Sequence, residues 1–183
     1  MLKLSENPPL TWPQESSISD LNGNWWVAHT KSRNEKALAW QLVNDEVPYF
    51  LPMHWKVSKS RGRTIRSLLP LFPSYLFFCG GEDERLKVLK TNRTANILDV
   101  ENQELLIQEL LPIETVLKLG KTVLPHDYIQ VGQKCRVTAG PLAGTTGMVV
   151  ETSKETRLIL QVDMLGQAAS VEINSDMVEK VEE

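Results

Sequence analysis

The chain has 183 residues, of which 42% are hydrophobic and 23% are charged, and its formal net charge is −3. This length fits one domain or two small ones, and the composition is typical of a soluble globular protein. The absence of any run of about 20 apolar residues excludes a membrane-spanning helix, and the weak charge excludes a protein that holds nucleic acid by charge alone.

The first 23 residues hold three prolines and no sustained periodicity, which predicts a flexible tail over residues 1–23. Residues 24–30 predict the first strand. Ser32 and Glu35 then have capping-box spacing and predict a helix that runs to about Val43.

The rest of the first half alternates between strands and helices. It predicts strands at 47–55, 64–69, 74–79 and 95–100 and a short helix from Asp83 whose apolar residues are Leu86 and Leu89. It also predicts a helix that is capped by Asn102 and interrupted or bent at Pro112, with Leu106, Ile107, Leu110 and Leu111 on one side. This order predicts an α+β sandwich. The strand at 74–79 is apolar on both faces, so one face should meet the helices and the other needs a further cover, such as another protein.

The second half begins after a stretch rich in Gly, Pro and polar residues, which predicts a linker at residues 119–128. Residues 129–183 then have a period of two, most clearly over 158–164 and 169–173. Short strands at this spacing predict a small β-barrel of some five strands. Cys79 and Cys135 fall on inward strand positions, which predicts reduced core thiols in a cytoplasmic protein.

The sequence gives little support for an enzyme. His29, His54 and His126 do not have metal-ligand spacing with one another or with the cysteines, and the chain has no phosphate loop or dinucleotide fingerprint. We therefore expect no catalytic residue, no metal and no cofactor.

One stretch resembles the KOW motif of ribosomal proteins and NusG-type transcription factors. It consists of residues 131–137 followed by G-P-L-A-G-T-T-G-M-V at 140–149. Gly140 begins a tight turn, Gly144 supplies a positive φ, and Gly147 inside a strand permits a bulge or the close approach of another backbone.

A second resemblance covers the first half. The runs W-W-V at 25–27, F-L-P at 50–52 and F-P-S-Y at 72–75 resemble the NusG N-terminal domain, although that family commonly has Gly where this chain has Ser74. The run H-T-K at 29–31, and a basic hairpin joined directly to P-L-F-P, are more similar to the specialised RfaH-type paralogues than to the housekeeping factor.

The resemblance implies a fold and a function. The fold is α+β, with an N-terminal NusG-type α/β sandwich (an antiparallel sheet with helices) at residues 24–118 and an SH3-like KOW β-barrel at residues 129–183. The function is that of a monomeric, non-enzymatic elongation regulator that suppresses pausing and termination. In this family the N-terminal domain presents an apolar surface to the clamp helices of the largest RNA polymerase subunit, a role that falls here on His29, Phe72, Pro73 and Tyr75.

The resemblance also implies that two sets of basic residues lie near the fork, where they are predicted to contact the non-template DNA strand, the upstream duplex or the nascent RNA. No acidic residue occurs from Val47 to Gly81, so the predicted hairpin between these limits is purely cationic. The hairpin set is Lys56, Lys59, Arg61, Arg63 and Arg66, and the set near the start of the first helix is Lys31, Arg33 and Lys36.

The predicted barrel has other candidate partners. In this family it recruits the termination factor Rho or a ribosomal protein, and the alternation over 158–164 and 169–173 argues against a refolding of this domain into helices. Two alternative functions are a general NusG-type elongation and termination factor and a KOW-containing RNA-binding or ribosome-associated protein. The second alternative predicts a strongly basic barrel, whereas residues 119–183 contain 6 Lys/Arg and 9 Asp/Glu.

Overall fold

The computed structural model describes residues 6–60, 62–126, 133–151 and 155–181. The chain divides into two compact units between Gln103 and Glu104. Within the described ranges, no helix combines the length and the hydrophobicity that crossing a bilayer requires.

The first unit contains an antiparallel sheet, a separate hairpin and two helices. Its strands are β1 (Thr11–Trp12), β2 (Asn24–Thr30), β3 (Tyr49–Phe50), β4 (Met53–Ser60), β5 (Arg63–Pro70), β6 (Tyr75–Gly80) and β7 (Thr94–Asp99), and its helices are α1 (Glu35–Asn44) and α2 (Glu82–Lys90). The sheet has the strand order β1-β3-β6-β2-β7 with all neighbours antiparallel, whereas β4 and β5 form a two-stranded sheet of their own.

Strand β6 lies in the middle of the five-stranded sheet and is apolar on both faces. Leu76 and Phe78 join the core cluster that contains Leu38 and Leu42 of α1. Alternation turns Phe77 to the opposite face, where it pairs with Val27 of β2, and all of these side chains are fully buried. The predicted α+β architecture is confirmed, with β6 as the strand that both layers share.

The predicted strand at residues 47–55 is wrong in its extent. Strand β3 ends at Phe50 and β4 begins at Met53. Pro52 lies between them and has no N–H for a sheet ladder, while its carbonyl oxygen accepts a hydrogen bond from the Leu71 N–H (2.8 Å). The chain therefore leaves the sheet at Pro52 and continues as the β4–β5 hairpin.

The prediction of a flexible tail is wrong for residues 6–23. Strand β1 pairs with β3 and extends the sheet, Tyr49 Oη donates to the Pro9 carbonyl oxygen (3.0 Å), and Ile18 is fully buried. A strand of two residues is too short to produce a periodic pattern, so the sequence carried no signal for it.

Helix α2 differs from its prediction in the residue that it buries. Val88 is fully buried, whereas Leu86 and Leu89 are 47% and 42% exposed. A helix this short turns only a narrow stripe toward the sheet, and Val88 occupies that stripe.

The second unit contains most of one helix and a six-stranded antiparallel sheet. Its elements are α3 (Gln103–Lys118), which begins at the last residue of the first unit, and β8 (Val123–His126), β9 (Gln133–Val137), β10 (Thr146–Glu151), β11 (Thr156–Val162), β12 (Gln167–Ile173) and β13 (Val178–Lys180). The strand order is β13-β9-β10-β11-β12-β8.

The second half differs from the sequence-based expectation in three respects. The two compact units divide between Gln103 and Glu104, so most of α3 groups with the second unit, whereas the predicted boundary follows residue 118. The predicted linker contains a strand, since β8 pairs with β12. Helix α3 continues through Pro112 without interruption, and Leu106 and Leu110 are buried as predicted, whereas Ile107 and Leu111 are only half-buried.

The alternation of buried and exposed side chains along β11 is less strict than the sequence predicted. Leu158, Leu160 and Val162 are buried as predicted, but Ile159, on the other face, is also fully buried. Both faces of β11 therefore exclude solvent. Met164, which the alternation placed with the buried set, lies in a 3₁₀ turn and is 37% exposed.

A half-buried carboxyl joins α3 to the end of β11 within this unit. Glu109 Oε2 accepts a hydrogen bond from the Asp163 N–H (3.3 Å). Burial raises the pKa of Glu109 to about 7, and the Asp163 carboxylate adds to the shift, while the hydrogen bond from the Asp163 N–H opposes it.

We expect Glu109→Gln to remove a pH-dependent part of the stability of this unit. A raised folded-state pKa means that the folded chain holds the Glu109 proton more tightly than the unfolded chain does. The stability that this proton contributes is therefore fully present below about pH 4.5 and is lost as the pH rises through about 7. The wild-type melting temperature should therefore fall more steeply than that of Glu109→Gln between about pH 5 and pH 8, and the variant should be the more stable at about pH 8.

Scanning calorimetry at several pH values measures this difference. Glu104→Gln, an exposed position in the first turn of the same helix, is the matched control and should follow the wild-type profile. Parallel profiles for the wild type and Glu109→Gln would contradict the prediction.

Candidate functional site

Two of the predicted docking residues form a stacked pair at one end of the sheet. His29 of β2 lies directly opposite Tyr75, the first residue of β6, and their ring centroids are 5.1 Å apart with an interplanar angle of 22°. Both side chains are half-buried, so each ring keeps part of its surface accessible. Pro73, two residues before Tyr75, is exposed. The structure thus brings His29 and Tyr75 together, and we call this pair with Pro73 the aromatic end of the sheet.

The fourth predicted docking residue, Phe72, lies elsewhere. Its side chain is 1% exposed, and its ring meets Phe77 edge-on at a centroid distance of 6.2 Å. The Tyr75 N–H donates to the Phe72 carbonyl oxygen (3.1 Å), so the chain reverses between the two residues and turns their side chains apart. The prediction that Phe72 belongs to an exposed docking surface is therefore wrong, because it is a core residue.

The turn before Tyr75 is held by a buried carboxylate. Ser74 has a φ of +67°, a conformation that disfavours residues with a Cβ and explains why glycine suits this position. The buried Glu35 accepts a hydrogen bond from the Ser74 N–H through Oε1 (2.7 Å), and the Thr30 N–H donates to the Ser74 carbonyl oxygen (2.8 Å). The peptide groups on both sides of the strained residue are thus fixed.

Sequence reasoning assigned Glu35 to another role. The capping-box prediction with Ser32 is wrong, because α1 begins at Glu35 itself and Asn34 is its N-cap residue. The Glu35 carboxylate faces the turn at Ser74, which lies 39 residues further along the chain. A local spacing rule cannot reveal such a contact.

The three basic residues near the start of α1 have different surroundings. Lys31 Nζ donates to the carbonyl oxygen and to the side-chain oxygen of Asn92 (2.7 and 2.8 Å), in an exposed setting. Arg33 is exposed and has a φ of +60°. Lys31 and Arg33 thus stay at the surface, as the predicted contact with nucleic acid requires.

Lys36 points inward instead. Its ammonium donates to the side chain of Asn7 and to the Leu68 carbonyl oxygen, and burial lowers its pKa although the neighbouring Glu35 opposes the shift. Lys36 therefore ties the N-terminal segment to the hairpin strand β5, and a contact with nucleic acid, which stays a prediction, would compete with these hydrogen bonds.

The hairpin carries the rest of the predicted cations. Strands β4 and β5 pair over their whole length, from Met53 opposite Pro70 to Ser60 opposite Arg63. The described cations of the hairpin are all exposed, namely Lys56, Lys59, Arg63 and Arg66. Arg61 lies outside the described residues. Its neighbour Gly62 has a φ of +75°, as a tight turn at the tip requires.

The two cysteines are core residues. Cys79 and Cys135 are buried free thiols, as predicted, and burial raises the pKa of Cys79 to about 11. Within the part of the chain that the structure describes, no group of three His, Cys, Asp or Glu side chains is placed to hold a metal ion.

The second unit contains an open groove of about 450 Å³ between the end of α3 and the loop after β9. Its apolar lining includes Val116, Leu142, Val171 and Met177. This groove contains the loop of the KOW-like motif, since Gly140 and Pro141 also line it.

Two family models match the chain. The model described as "Transcription termination factor nusG" matches residues 23–110, and the model described as "KOW motif" matches residues 131–163. The first match contains the aromatic end of the sheet and the whole hairpin, and the second contains strands β9 to β11.

Two similar curated proteins are each called "Transcription termination/antitermination protein NusG". The one from Buchnera aphidicola is 29% identical over 134 residues, which are 73% of this chain and 64% of the relative, so the chain spans slightly less than two thirds of that protein. The one from Rickettsia typhi is 28% identical over 174 residues, which are 85% of this chain and 89% of the relative.

A solved structure that concerns domain interaction in Thermotoga maritima NusG has a similar fold. It covers 87% of this chain and 97% of its own, with a TM-score of 0.53 and 17% sequence identity. The chain belongs to the NusG-like family, because a NusG model followed by a KOW motif matches it and NusG relatives align along most of its length.

Proposed function

We propose that this chain is a transcription termination/antitermination factor that binds RNA polymerase, suppresses pausing and acts as an antiterminator in the cytoplasm. The name shared by the two curated relatives supports the general role. The observation that carries the polymerase contact is the half-buried stack of His29 on Tyr75, which Pro73 precedes by two residues with its side chain exposed.

This arrangement suits a docking surface for physical reasons. Each stacked ring holds the other in place, and proline is rigid, so little side-chain entropy is lost when a partner binds. Half-buried aromatic rings also offer apolar area with a polar edge, which is the composition of the anchors in protein interfaces. The proposed partner surface is the pair of clamp helices of the largest polymerase subunit.

A binding measurement with purified RNA polymerase tests this contact. We expect His29→Ala/Tyr75→Ala to weaken binding by roughly 30-fold, because truncation of an interface anchor commonly costs about 2 kcal/mol. Tyr75→Phe keeps the ring and should bind nearly as well as the wild type. Circular dichroism checks that each variant is folded. Unchanged affinity of a folded double variant would exclude the aromatic end as the docking surface.

The hairpin is proposed to contact nucleic acid near the fork, either the non-template DNA strand or the nascent RNA. Its exposed cations and the absence of acidic residues from Val47 to Gly81 support this. Lys31 and Arg33 are proposed as a second, smaller contact. If the five hairpin cations all meet phosphates of a single strand, the plot of log K against log salt should have a slope of about −3.5.

A general elongation and termination factor is the alternative, because the relatives' name includes both activities. Rho-dependent termination in a purified transcription system separates the two functions. Stimulation by this chain would support the general factor, and relief of termination would support the antiterminator. The groove beside the KOW loop is the proposed site for Rho or a ribosomal protein.

A further inference from the structure

The register of the hairpin divides its exposed side chains between two unlike faces. Side chains alternate along each strand, and directly opposed residues share a face. We call one face the tryptophan face. It carries Trp55, Val57 and Lys59 of β4 and, opposite them in the same order, Leu68, Arg66 and Thr64 of β5. The other face carries His54, Lys56, Ser58, Arg63, Ile65, Ser67 and Leu69. Each face thus has two of the described cations, but the two faces differ in their apolar groups.

Two apolar groups of the tryptophan face are open to solvent, whereas Leu68, opposite Trp55, is half-buried and packs against the core. Trp55 is 48% exposed and Val57 is 58% exposed. Tryptophan is highly buried on average in folded chains, so a half-exposed indole in the middle of a paired strand is an unusual feature. Strands β4 and β5 form a sheet of their own, and no other strand of the described chain pairs with it.

The cations on this face stand at positions that suit a strand of nucleic acid. Arg66 lies opposite Val57 and hence diagonally across from Trp55, a separation of about 7–8 Å that long side chains can span. Lys59 lies four residues beyond Trp55, about 13 Å along the strand. A base stacked on the indole would have flanking phosphates within reach of these two side chains.

We propose that the tryptophan face binds single-stranded nucleic acid, with the Trp55 ring as a stacking platform for one base and Lys59 and Arg66 as phosphate contacts. Charge complementarity favours this occupant, since no acidic residue lies between Val47 and Gly81. A duplex keeps its bases stacked on each other and offers no free base face to the indole.

This inference rests on the proposed contact between hairpin and nucleic acid but not on polymerase binding. Fluorescence anisotropy of the full chain with labelled dT12, rU12 and a 12-base-pair DNA duplex tests it. We expect either single strand to bind more tightly than the duplex, and the tighter of the two identifies the strand. Trp55→Ala should weaken single-strand binding ~5- to 100-fold with the salt slope unchanged, and Trp55→Phe should retain most of the affinity.

Two charge variants form a matched pair. Lys59→Ala/Arg66→Ala should reduce the salt slope by about 1.4, whereas Lys56→Ala/Arg63→Ala, which removes the same charge from the other face, should leave the slope nearly unchanged. Equal effects of the two variants, together with wild-type affinity of Trp55→Ala, would overturn the proposal and leave a hairpin that binds by charge alone. If no oligomer binds and Trp55→Ala instead weakens polymerase binding, the face contacts protein and the proposal is also overturned.

Discussion

Glu35→Ala is expected to destabilise the first unit and to weaken polymerase binding, although Glu35 lies 39 residues before the turn residue Ser74 that it holds. The substitution removes the acceptor of the Ser74 N–H, which is partly buried. An unsatisfied buried donor costs about 1–3 kcal/mol. For a unit of this size, that cost corresponds to a melting temperature lower by roughly 5–15 °C.

The loss should also reach the proposed docking surface. Ser74 has a positive φ and directly precedes Tyr75, so the turn sets the position of the Tyr75 ring against His29. Without the Glu35 contact, the turn can relax toward a conformation with negative φ. We expect polymerase binding to fall by about 5- to 30-fold in Glu35→Ala even at a temperature where the variant is folded.

Three measurements examine this prediction. Thermal unfolding gives the stability, hydrogen exchange of the Ser74 amide reports the local contact, and a binding titration gives the affinity. Glu35→Gln keeps an acceptor oxygen and should lie between the wild type and Glu35→Ala. Adding Ser74→Gly to Glu35→Ala should restore part of the stability, because glycine adopts the positive φ without strain. Wild-type exchange of the Ser74 amide in Glu35→Ala would show that the carboxylate does not hold the turn.

Gly147→Ala is expected to be the most damaging small substitution in the second unit. A Cβ at Gly147 would lie 2.6 Å from the Ile159 carbonyl oxygen and 2.9 Å from Leu158 Cδ1. The carbonyl belongs to β11, which pairs with β10 in this register, so it cannot move away without breaking the ladder. Overpacking against a fixed group costs about 1–3 kcal/mol and occasionally more.

The expected result is a lower stability of the second unit, with the β10–β11 amides losing protection against hydrogen exchange. Gly166→Ala is the matched control, since its Cβ would meet nothing within 4 Å and its φ of +57° adds only backbone strain. That strain costs about 1–2 kcal/mol, so Gly147→Ala should lose more protection in the β10–β11 ladder than Gly166→Ala. Equal protection of these amides in the two variants would contradict the importance of the close approach.

The sequence predicted the elements that have strong local signals. The seven apolar-rich residues of β2 and the burial of Leu106 and Leu110 in α3 agree with the structure. The predicted close backbone approach at Gly147 is also confirmed, because a Cβ there would lie 2.6 Å from the Ile159 carbonyl oxygen. Glycine weakens the interior of a strand, so its presence there indicates a neighbouring backbone that leaves no room for a Cβ. The two motif regions were enough to indicate the family that the similar proteins then supported.

The candidate site was predicted less well, because it depends on contacts between distant residues. Phe72 and Tyr75 share one apolar run, yet the turn at Ser74 places one ring in the core and leaves the other partly accessible. Lys36 and Lys59 are both lysines in basic stretches, but a carbonyl oxygen of β5 holds the first inward. Trp55 was not singled out, since its exposure follows from a hairpin that leaves the main sheet at Pro52.

By itself, the sequence determined most of the longer strands and helices, the order of the two family motifs and the cationic character of the hairpin, because period, composition and turn residues are local properties. Only the tertiary structure decided that residues 6–23 are ordered, that most of α3 groups with the second unit, and which of the aromatic and basic side chains remain accessible. The physical reason is that burial and hydrogen-bond satisfaction depend on residues far apart in the chain, such as Glu35 and Ser74.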